Sequence, residues 1–310
     1  ITGIGIIKDP ALLGDHFGGF VSDGAVAYGY LLAFLLLTTV VVLRGIEAGI
    51  EKLSKILMPS LFILMIILII RGVTLPGGWE GVKYLFLPRW EDFNGAALFN
   101  AMGFCFFSLS LGAGTMITYG TYLNPKADLP SSVGWVAFLG IMSSILGGLM
   151  VMPSVFAFHL DPSAGPGLTF VTMPTIFAQM PFGQLFAVFF YICLMVAALT
   201  SSVSMLEACT ALLTQTFMVK RNTAIVVTTV LAALVGLAAT LSFGAWSDVL
   251  FFGKNVFDLL DYVTSNVGMP LSTFGIAIAA AWVAWKTTAK ELQSARTLSP
   301  ATLTTGRILI

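Results

Sequence analysis

Charged residues are scarce in this chain: they make up 10% of its 310 residues, while 57% of the residues are hydrophobic. A soluble domain carries about 25% charged residues, so water cannot be the main solvent of this protein. The formal net charge at pH 7 is zero, which removes the basic surface that a nucleic-acid partner would need. The composition therefore predicts a protein that is embedded in a lipid bilayer.

Residues that form disulfides or bind metals are also few. The chain has three cysteines and two histidines. The cysteines Cys105, Cys193 and Cys209 all lie inside apolar runs, where cysteine ordinarily serves as a small buried residue. The histidines His16 and His159 match no zinc motif. We expect neither a disulfide framework nor a zinc site.

Long apolar runs dominate what the sequence does contain. Seven segments are long enough, or nearly so, to cross about 30 Å of hydrocarbon as helices. They are Ala27–Leu43, Ile50–Ile70, Ala96–Tyr122, Val133–Phe158, Gly183–Leu213, Thr223–Leu241 and Phe257–Trp285. No soluble domain separates them, so residues 1–310 are predicted to form a single all-α integral membrane domain.

The distribution of positive charge predicts the orientation of this domain. Ten of the fifteen Lys and Arg residues fall on one side of the predicted helices, and that side is expected to be cytoplasmic. The prediction is an external loop at 1–26, a transmembrane core at 27–285 and a cytoplasmic loop at 286–310. Leu168–Met180 is too short to span and is predicted to be a lid-like helix on the external face. Because the chain opens on Ile1 and closes on an apolar run, we expect an internal fragment whose last loop leads to a further helix.

The third segment, Ala96–Tyr122, is interrupted near its middle. Ser108, Ser110, Gly112 and Gly114 break an otherwise apolar helix. Backbone that leaves helical geometry at membrane depth is tolerated only where it is buried in protein or lines a cavity. In transporters, such broken helices bind the substrate and the coupling ion. The interruption therefore predicts a transporter binding site.

A second unusual feature is the hydroxyl run Thr200-Ser201-Ser202 within Gly183–Leu213. Hydroxyls in membrane helices often bond only the carbonyl four residues back or a neighbouring helix. Three adjacent hydroxyls are harder to explain in this way. Hydroxyl and carbonyl oxygens are the ligands that a hard cation needs in exchange for its water, so the run is interpreted as a candidate ion site.

Three acidic residues lie in or beside predicted spans. Glu207 lies near the cytoplasmic half of the span Gly183–Leu213, and an ionisable residue within a span is a functional candidate by default. It could be a structural carboxylate bonded to a neighbouring helix, or a coupling or proton-relay group. Asp258 and Asp261 lie at the external mouth of the last helix, one turn apart and on one face. They could complement the helix dipole or form an external gate.

Several motifs occur in a characteristic order along the chain. They are Arg44-Gly45-Ile46 with Gly49-Ile50-Glu51-Lys52, Lys55-Ile56-Leu57-Met58-Pro59, Phe107-Ser108-Leu109-Ser110-Leu111-Gly112 with Tyr119, Leu199-Thr200-Ser201-Ser202, and Phe257-Asp258-Leu259-Leu260-Asp261-Tyr262. In these motifs the chain resembles the neurotransmitter:sodium symporter family, in particular its bacterial amino-acid transporters. The resemblance implies a LeuT-like inverted-repeat fold, truncated at both ends, in which the seven segments correspond to family helices four to ten.

The resemblance also implies a function and its residues. The function is sodium-coupled symport of an amino acid by alternating access, in a multi-pass protein of the cell membrane, here a bacterial inner membrane. The substrate-binding residues implied are Phe107, Ser110, Leu111, Gly112, Ala113, Gly114, Ser202 and Met205. The sodium ligands implied are Ser108 in a first site, and Ala197 by its carbonyl, Thr200 and Ser201 in a second. Asp261 resembles the external gate carboxylate, and Tyr122 a residue of the cytoplasmic gate.

Some positions depart from the family pattern. Ala113 stands where many relatives carry a larger residue, which leaves room for a bulky aromatic or aliphatic amino acid. Leu139 and Gly140 stand where an Asn or Asp usually serves the first sodium ion. The remaining departures are Ser143 or Ser144 at a position linked to chloride dependence, Phe104 where a glutamine would help to hold that anion, and Gln215 in place of an acidic gate residue. Chloride therefore stays an open alternative beside sodium.

Two other functions are alternatives to symport. A protein of the same fold could sense its ligand without transporting it, or be an inactive fragment, because the helix around Leu139 and the Gln215 position are altered. An intramembrane enzyme, with Asp258, Asp261 or Glu207 as acid, is the remote alternative. The sequence contains neither a zinc-protease motif nor a nucleophile elbow, which speaks against an enzyme.

Overall fold

The computed structural model describes residues 10–45, 51–124, 127–159, 168–179 and 181–293. These residues form thirteen α-helices. In chain order they are α1 (Pro10–Ser22), α2 (Gly24–Leu43), α3 (Lys52–Val73), α4 (Gly78–Phe86), α5 (Gly95–Ser108), α6 (Thr115–Thr121), α7 (Leu129–Ala157), α8 (Met173–Gln179), α9 (Gly183–Thr216), α10 (Arg221–Leu241), α11 (Val256–Asp261), α12 (Met269–Ile278) and α13 (Trp285–Leu292). Ile46, Gly49 and Ile50 of the first motif and the predicted loop beyond residue 293 lie outside the described residues.

Six helical stretches are long and apolar enough to cross a membrane. They are Gly24–Leu43, Ser54–Val73, Leu129–Ala157, Gly183–Thr216, Arg221–Leu241 and Val256–Val283. These stretches coincide with six of the seven predicted segments, which confirms an all-helical, multi-pass membrane protein. The seventh, Ala96–Tyr122, is divided between α5 and α6. The prediction of a broken helix is therefore confirmed.

The chain forms two compact units. The first contains Ile1–Trp90 and Ser144–Phe257, and the second contains Glu91–Ser143 and Asp258–Ile310. The long helix α7 contributes residues to both.

The first unit is organised around α9, which contacts α2, α3, α8 and α10. Two clusters of buried apolar side chains hold these helices together. One joins α3, α7, α8 and α9 through Leu68, Val155, Met173, Ile176, Phe177, Ala187 and Phe190. The other joins α2, α9 and α10 through Val41, Val42, Leu199, Val203, Leu206 and Ile225. Lipid tails are as apolar as these residues, so close packing rather than hydrophobicity stabilises such contacts in a bilayer.

Hydroxyl pairs add polar contacts between the same helices. The Thr38 and Ser202 hydroxyl oxygens lie 2.9 Å apart and join α2 to α9. The Thr39 and Thr229 hydroxyl oxygens lie 3.0 Å apart and join α2 to α10. Each such hydrogen bond contributes about 0.6 kcal/mol on average in membrane proteins. The position of α2 against α9 is therefore fixed by polar as well as apolar contacts.

The first part of the described chain contains more helix than the hydropathy pattern predicted. The predicted loop at 1–26 contains α1, and α2 begins at Gly24 rather than Ala27. Asp23 explains this early start, because its carboxylate accepts hydrogen bonds from the first backbone N–H groups of α2 at 3.1 Å. Such a cap satisfies donors that have no partner inside the helix.

The predicted lid segment is helical, as expected. Leu168–Thr172 forms one π-helical turn, with hydrogen bonds that span five residues, and α8 follows directly. The α8 side chains Met173, Ile176 and Phe177 are buried. Because these side chains are buried in the first cluster, the segment is a packed part of the unit.

The loop between α3 and α5 contains a helix, α4, that the sequence analysis did not predict. Gly78 and Gly81 form its buried face. At Gly81, a Cβ atom would lie against the backbone of α7, 2.6 Å from the Pro153 Cα atom. Only a residue without a side chain allows the two helices to approach so closely.

We expect Gly81→Ala to destabilise the protein, because backbone cannot move aside as a flexible side chain could. Overpacking of this kind costs about 1–3 kcal/mol. Gly147→Ala is the matched control, since a Cβ at this glycine of α7 has open space around it. Thermal unfolding in detergent, followed by size-exclusion chromatography, measures both variants. Equal midpoints for the two variants would contradict the packing described.

The second unit contains an irregular helix next to the broken one. The stretch Val256–Val283 consists of α11, the π-helical turns Tyr262–Gly268, α12 and the π-helical turn Ala279–Val283. Pro270 lies in the first turn of α12, and α12 packs against α5. Two helices with interrupted hydrogen-bond ladders therefore lie side by side.

Candidate functional site

The break in the third segment covers residues 109–114, between the end of α5 and the start of α6. Three of these residues have left-handed backbone: Ser110 at φ 53°, Gly112 at φ 85° and Gly114 at φ 75°. Glycine adopts this conformation without steric cost. The two glycines that marked the break in the sequence are therefore the residues that turn the chain.

Hydrogen bonds fix the end of α5. The Leu111 N–H donates to the Phe106 carbonyl at 2.8 Å, and the Ser110 N–H donates to the Phe107 carbonyl at 3.0 Å. This pair of bonds is the Schellman pattern, which requires a left-handed residue at the position of Ser110. A left-handed residue other than glycine costs about 1–3 kcal/mol and occurs most often at functional sites.

Beyond this cap, the backbone donors of the break are unpaired. The N–H groups of Gly112, Ala113 and Gly114 donate no hydrogen bond within the part of the chain that the structure describes. The hydroxyls of Ser108 and Ser110 likewise have no partner among the described residues. Unpaired donors are costly away from water. An anionic or carbonyl group of a ligand would satisfy them.

The predicted substrate residues of the second unit therefore lie together on and around the break. The Phe107 side chain is 52% exposed at the last turn of α5, and Ala113 is exposed within the break. Leu111 and Gly112 line a small cavity of about 80 Å³ between the break and α12. Ser108, the predicted ligand of the first sodium site, is the last residue of α5.

The predicted second sodium site lies on α9, in the first unit. The Thr200 hydroxyl donates to the Val196 and Ala197 carbonyls at 3.1 and 3.0 Å. The Thr200 side chain is buried, whereas Ser201 is exposed and its hydroxyl has no partner among the described residues. The Ala197 carbonyl and the two hydroxyl oxygens provide the uncharged oxygen set that suits a hard monovalent cation.

The other two predicted substrate residues of α9 differ from each other. The Ser202 hydroxyl contacts Thr38 of α2 and also donates to the Leu199 carbonyl at 3.0 Å. Its observed contacts are therefore with neighbouring helix residues. Met205 is 50% exposed and is free to contact a ligand.

Glu207 has a partner that the sequence analysis missed. Its side chain is fully buried, and Arg221 at the start of α10 binds both carboxylate oxygens, at 2.8 and 2.7 Å. Arg221 also donates to the Val42 carbonyl of α2 at 3.3 Å. In the sequence analysis, Arg221 is one of the ten Lys and Arg residues assigned to the cytoplasmic side, with no partner predicted for it. Its position fourteen residues after a buried carboxylate was the available signal, because such a carboxylate needs a cation.

The predicted gate residues lie in the second unit. Asp258 and Asp261 are exposed on α11, and the Asp261 carboxylate accepts a hydrogen bond from the Ser265 hydroxyl at 2.9 Å. Tyr122 follows the last turn of α6 and is 39% exposed. These residues are positioned at helix ends, where a gate could act.

Comparison with known proteins decides the family. Residues 16–305 match the sequence model of the sodium:neurotransmitter symporter family. The chain belongs to this family. It is 38% identical over 268 residues to YhdH of Bacillus subtilis and 36% identical over 268 residues to a protein of Haemophilus influenzae, both described as uncharacterised sodium-dependent transporters. Each match covers 86% of this chain and 59% of the relative, so the chain spans less than two thirds of the length of these relatives.

A solved member of the symporter family shares the fold. MhsT, in complex with L-phenylalanine, matches with a TM-score of 0.85 and 37% identity, over 94% of this chain and 66% of MhsT. The match confirms the predicted LeuT-like fold. A more distant relative is the sodium- and chloride-dependent GABA transporter ine of Drosophila melanogaster, 27% identical over 237 residues and covering 71% of this chain and 24% of that protein.

The structure describes the contacts of several positions that depart from the symporter pattern. Gly140 lies against Leu109 of the break, since a Cβ there would be 3.3 Å from that side chain. The Ser143 hydroxyl donates to the Leu139 carbonyl at 2.7 Å. Phe104 is exposed. The Ser143 hydroxyl is thus engaged within its own helix.

Proposed function

We propose that the protein that carries this chain is a sodium-coupled symporter of an amino acid, working by alternating access in a bacterial inner membrane. Downhill entry of sodium would drive uphill uptake of the substrate. A bound ligand shifts the equilibrium between the conformations of such a transporter only by the difference between its affinities for those conformations. Family membership and the bacterial relatives support the class of transporter and the membrane.

The observation that carries the proposal is the set of unpaired N–H groups at Gly112, Ala113 and Gly114. They lie between α5 and α6, in the middle of the long apolar segment Ala96–Tyr122. The carboxylate of an amino acid is an acceptor that could pair with such donors. The hydroxyls of Ser108, Thr200 and Ser201 supply the oxygen atoms that sodium needs.

The small residue at the break supports a bulky substrate. Ala113 projects only a methyl group, and the nearby Gly114 has no atom within 4 Å of where a Cβ would be. Phe107, at the last turn of α5 next to the break, offers exposed apolar surface. We therefore propose an aromatic or large aliphatic amino acid; MhsT, which shares the fold, was solved with L-phenylalanine.

Binding and uptake measurements test the function. The 310-residue sequence is expressed with whatever coding sequence flanks it, purified, and assayed for binding of radiolabelled tryptophan, phenylalanine, leucine and alanine in sodium or potassium. Uptake into vesicles follows, with and without a sodium gradient and with and without chloride. Sodium-dependent binding with accumulation supports symport. Saturable binding without accumulation would favour the sensor, and absence of both would contradict the proposal.

We expect Ala113→Phe to select against bulky substrates, because the added ring occupies the space that we assign to the substrate side chain. Binding of tryptophan should weaken about 10- to 100-fold, as for a misplaced group of this size, while binding of alanine changes little. Val230→Phe on α10, at an exposed position away from the break, is the control for added aromatic volume. Equal losses for tryptophan and alanine would show that Ala113 does not face the substrate.

A further inference from the structure

The break lies in close contact with the neighbouring helix α12 at Gly112. A Cβ atom at this position would be in collision with the Met269 carbonyl oxygen and would lie 2.7 Å from the Thr273 hydroxyl oxygen. A side chain is therefore excluded here for two reasons, the lack of space and the left-handed φ of 85°. At Gly114, by contrast, a Cβ would meet no atom within 4 Å. Of the two glycines of the break, Gly112 is therefore the one that packs closely against α12.

The surface that Gly112 contacts is held in place. The Thr273 hydroxyl donates to the Met269 carbonyl at 2.8 Å, which orients both groups. Pro270, between them, fixes its own φ. A β-branched residue such as threonine also has few allowed rotamers in a helix. Met269 and Thr273 therefore form a rigid surface on α12, and Gly112 of the break packs against it.

Around this contact the packing is incomplete. The cavity of about 80 Å³ is lined by Ser110, Leu111, Gly112, Gly114, Met116, Ile117, Thr273 and Ile276. Its volume is that of two or three molecules of liquid water, at about 30 Å³ each. The break is in tight contact at Gly112 and has free space beside it. A change of volume at Thr273 would therefore move the break rather than be absorbed by close packing.

We propose that Thr273 is a positioning residue for the substrate site. It sets how far the segment 110–114 stands from α12, and so how large a substrate side chain the opposite face of the segment accepts. Thr273 itself contacts the break and not the substrate. This inference rests on the proposed function for its link to substrate, and on the described contacts for its effect on the break.

A series of substitutions at Thr273 tests the inference. Thr273→Ala removes the side chain beside Gly112 and frees the Met269 carbonyl, which lets the break move towards α12. It should raise the preference for tryptophan over alanine about 10-fold, the lower end of the effect of one methylene group. Thr273→Ile pushes the break away and should lower that preference by a similar factor. Thr273→Ser keeps the hydroxyl and should stay within about twofold of the wild type. Ile276→Ala, which enlarges the same cavity, replaces Thr273→Ala if that variant does not fold.

Thr228→Val is the matched control. Thr228 of α10 is also half-buried, and its hydroxyl donates to the Ala224 carbonyl at 2.8 Å, so it reproduces the chemistry of Thr273 away from the break. If Thr273 had only a structural role, its substitution would lower expression or stability without changing the ratio of the affinities for tryptophan and alanine. The ratio is therefore the decisive readout.

A second measurement does not depend on substrate binding. Ala113→Cys is introduced together with Cys105→Ser and Cys209→Ser, which remove the two exposed native thiols. The rate of labelling by a membrane-impermeant maleimide should change at least threefold, in opposite directions, for Thr273→Ala and Thr273→Ile. If the wild type binds no amino acid in sodium, the proposed function fails while labelling still decides the inference. Unchanged labelling and an unchanged affinity ratio overturn it.

Discussion

Replacing both Thr200 and Ser201 with alanine should abolish sodium-dependent binding of the substrate. The two hydroxyls are the side-chain oxygens of the candidate ion site on α9. Dehydrating a sodium ion is not possible unless protein oxygens replace its water. The carbonyl of Ala197 alone cannot do so. We expect at least a 100-fold loss of sodium affinity, about 2.7 kcal/mol or more, with binding of the amino acid lost at any practical sodium concentration.

The single variants separate the two hydroxyls. The Thr200 hydroxyl donates to the Val196 and Ala197 carbonyls of its own helix. Thr200→Ala therefore also removes the side-chain hydrogen bond to those carbonyls. Ser201 has no such bond among the described residues, so Ser201→Ala should change sodium affinity alone. Thr214→Ala, which removes another hydroxyl of α9 bonded to a carbonyl of its own helix, is the control. Unaltered sodium dependence in the double variant would refute the assignment of this ion site.

Arg221→Met should be the most destabilising substitution at the Glu207–Arg221 pair. It leaves a carboxylate that is fully buried without its cation. Removing one partner of a buried pair costs about 3–5 kcal/mol. The Arg221 side chain retains 35% exposure and can reach water, so Glu207→Gln should cost less. The asymmetry follows from burial, since the less exposed charge depends more on its partner.

The double variant Glu207→Gln with Arg221→Met tests whether the pair acts as a unit. Replacing both charges should recover most of the stability that Arg221→Met loses, because no charge then remains buried alone. Lys220→Met removes a neighbouring exposed cation and serves as the control. Yield of monodisperse protein and the thermal midpoint are the measurements. If Glu207→Gln folds normally but changes the pH dependence of uptake, Glu207 is a coupling group instead.

The membrane spans were predictable because hydropathy needs no knowledge of neighbouring segments. Six of the seven predicted segments became long apolar helices, and the break fell where glycine and serine interrupt the seventh. Helix α4 was missed because its nine residues, with two buried glycines, have no apolar run of the required length. Its helical form depends on packing against α7, which a sequence does not show.

The contacts of the candidate site were less predictable than its residue types. The resemblance named Ser202 as a substrate contact, yet its hydroxyl lies 2.9 Å from that of Thr38, a residue 164 positions away. No local pattern predicts such a pair. The π-helical turns Tyr262–Gly268 are likewise not visible in the sequence, because hydrogen bonds that span five residues persist only where tertiary contacts support them.

The length of α9 has an electrical consequence. Its 34 residues extend over about 51 Å at a rise of about 1.5 Å each, well beyond the roughly 30 Å of hydrocarbon. Thr200 lies near the midpoint of this helix, so an ion at the site that we propose there would lie about halfway across the insulating layer. A charge that crosses the whole layer gains about 2.3 kcal/mol per 100 mV, and half of that is about 1.2 kcal/mol. The membrane potential of a living cell would then change the occupancy of this ion site severalfold, even at constant sodium concentration.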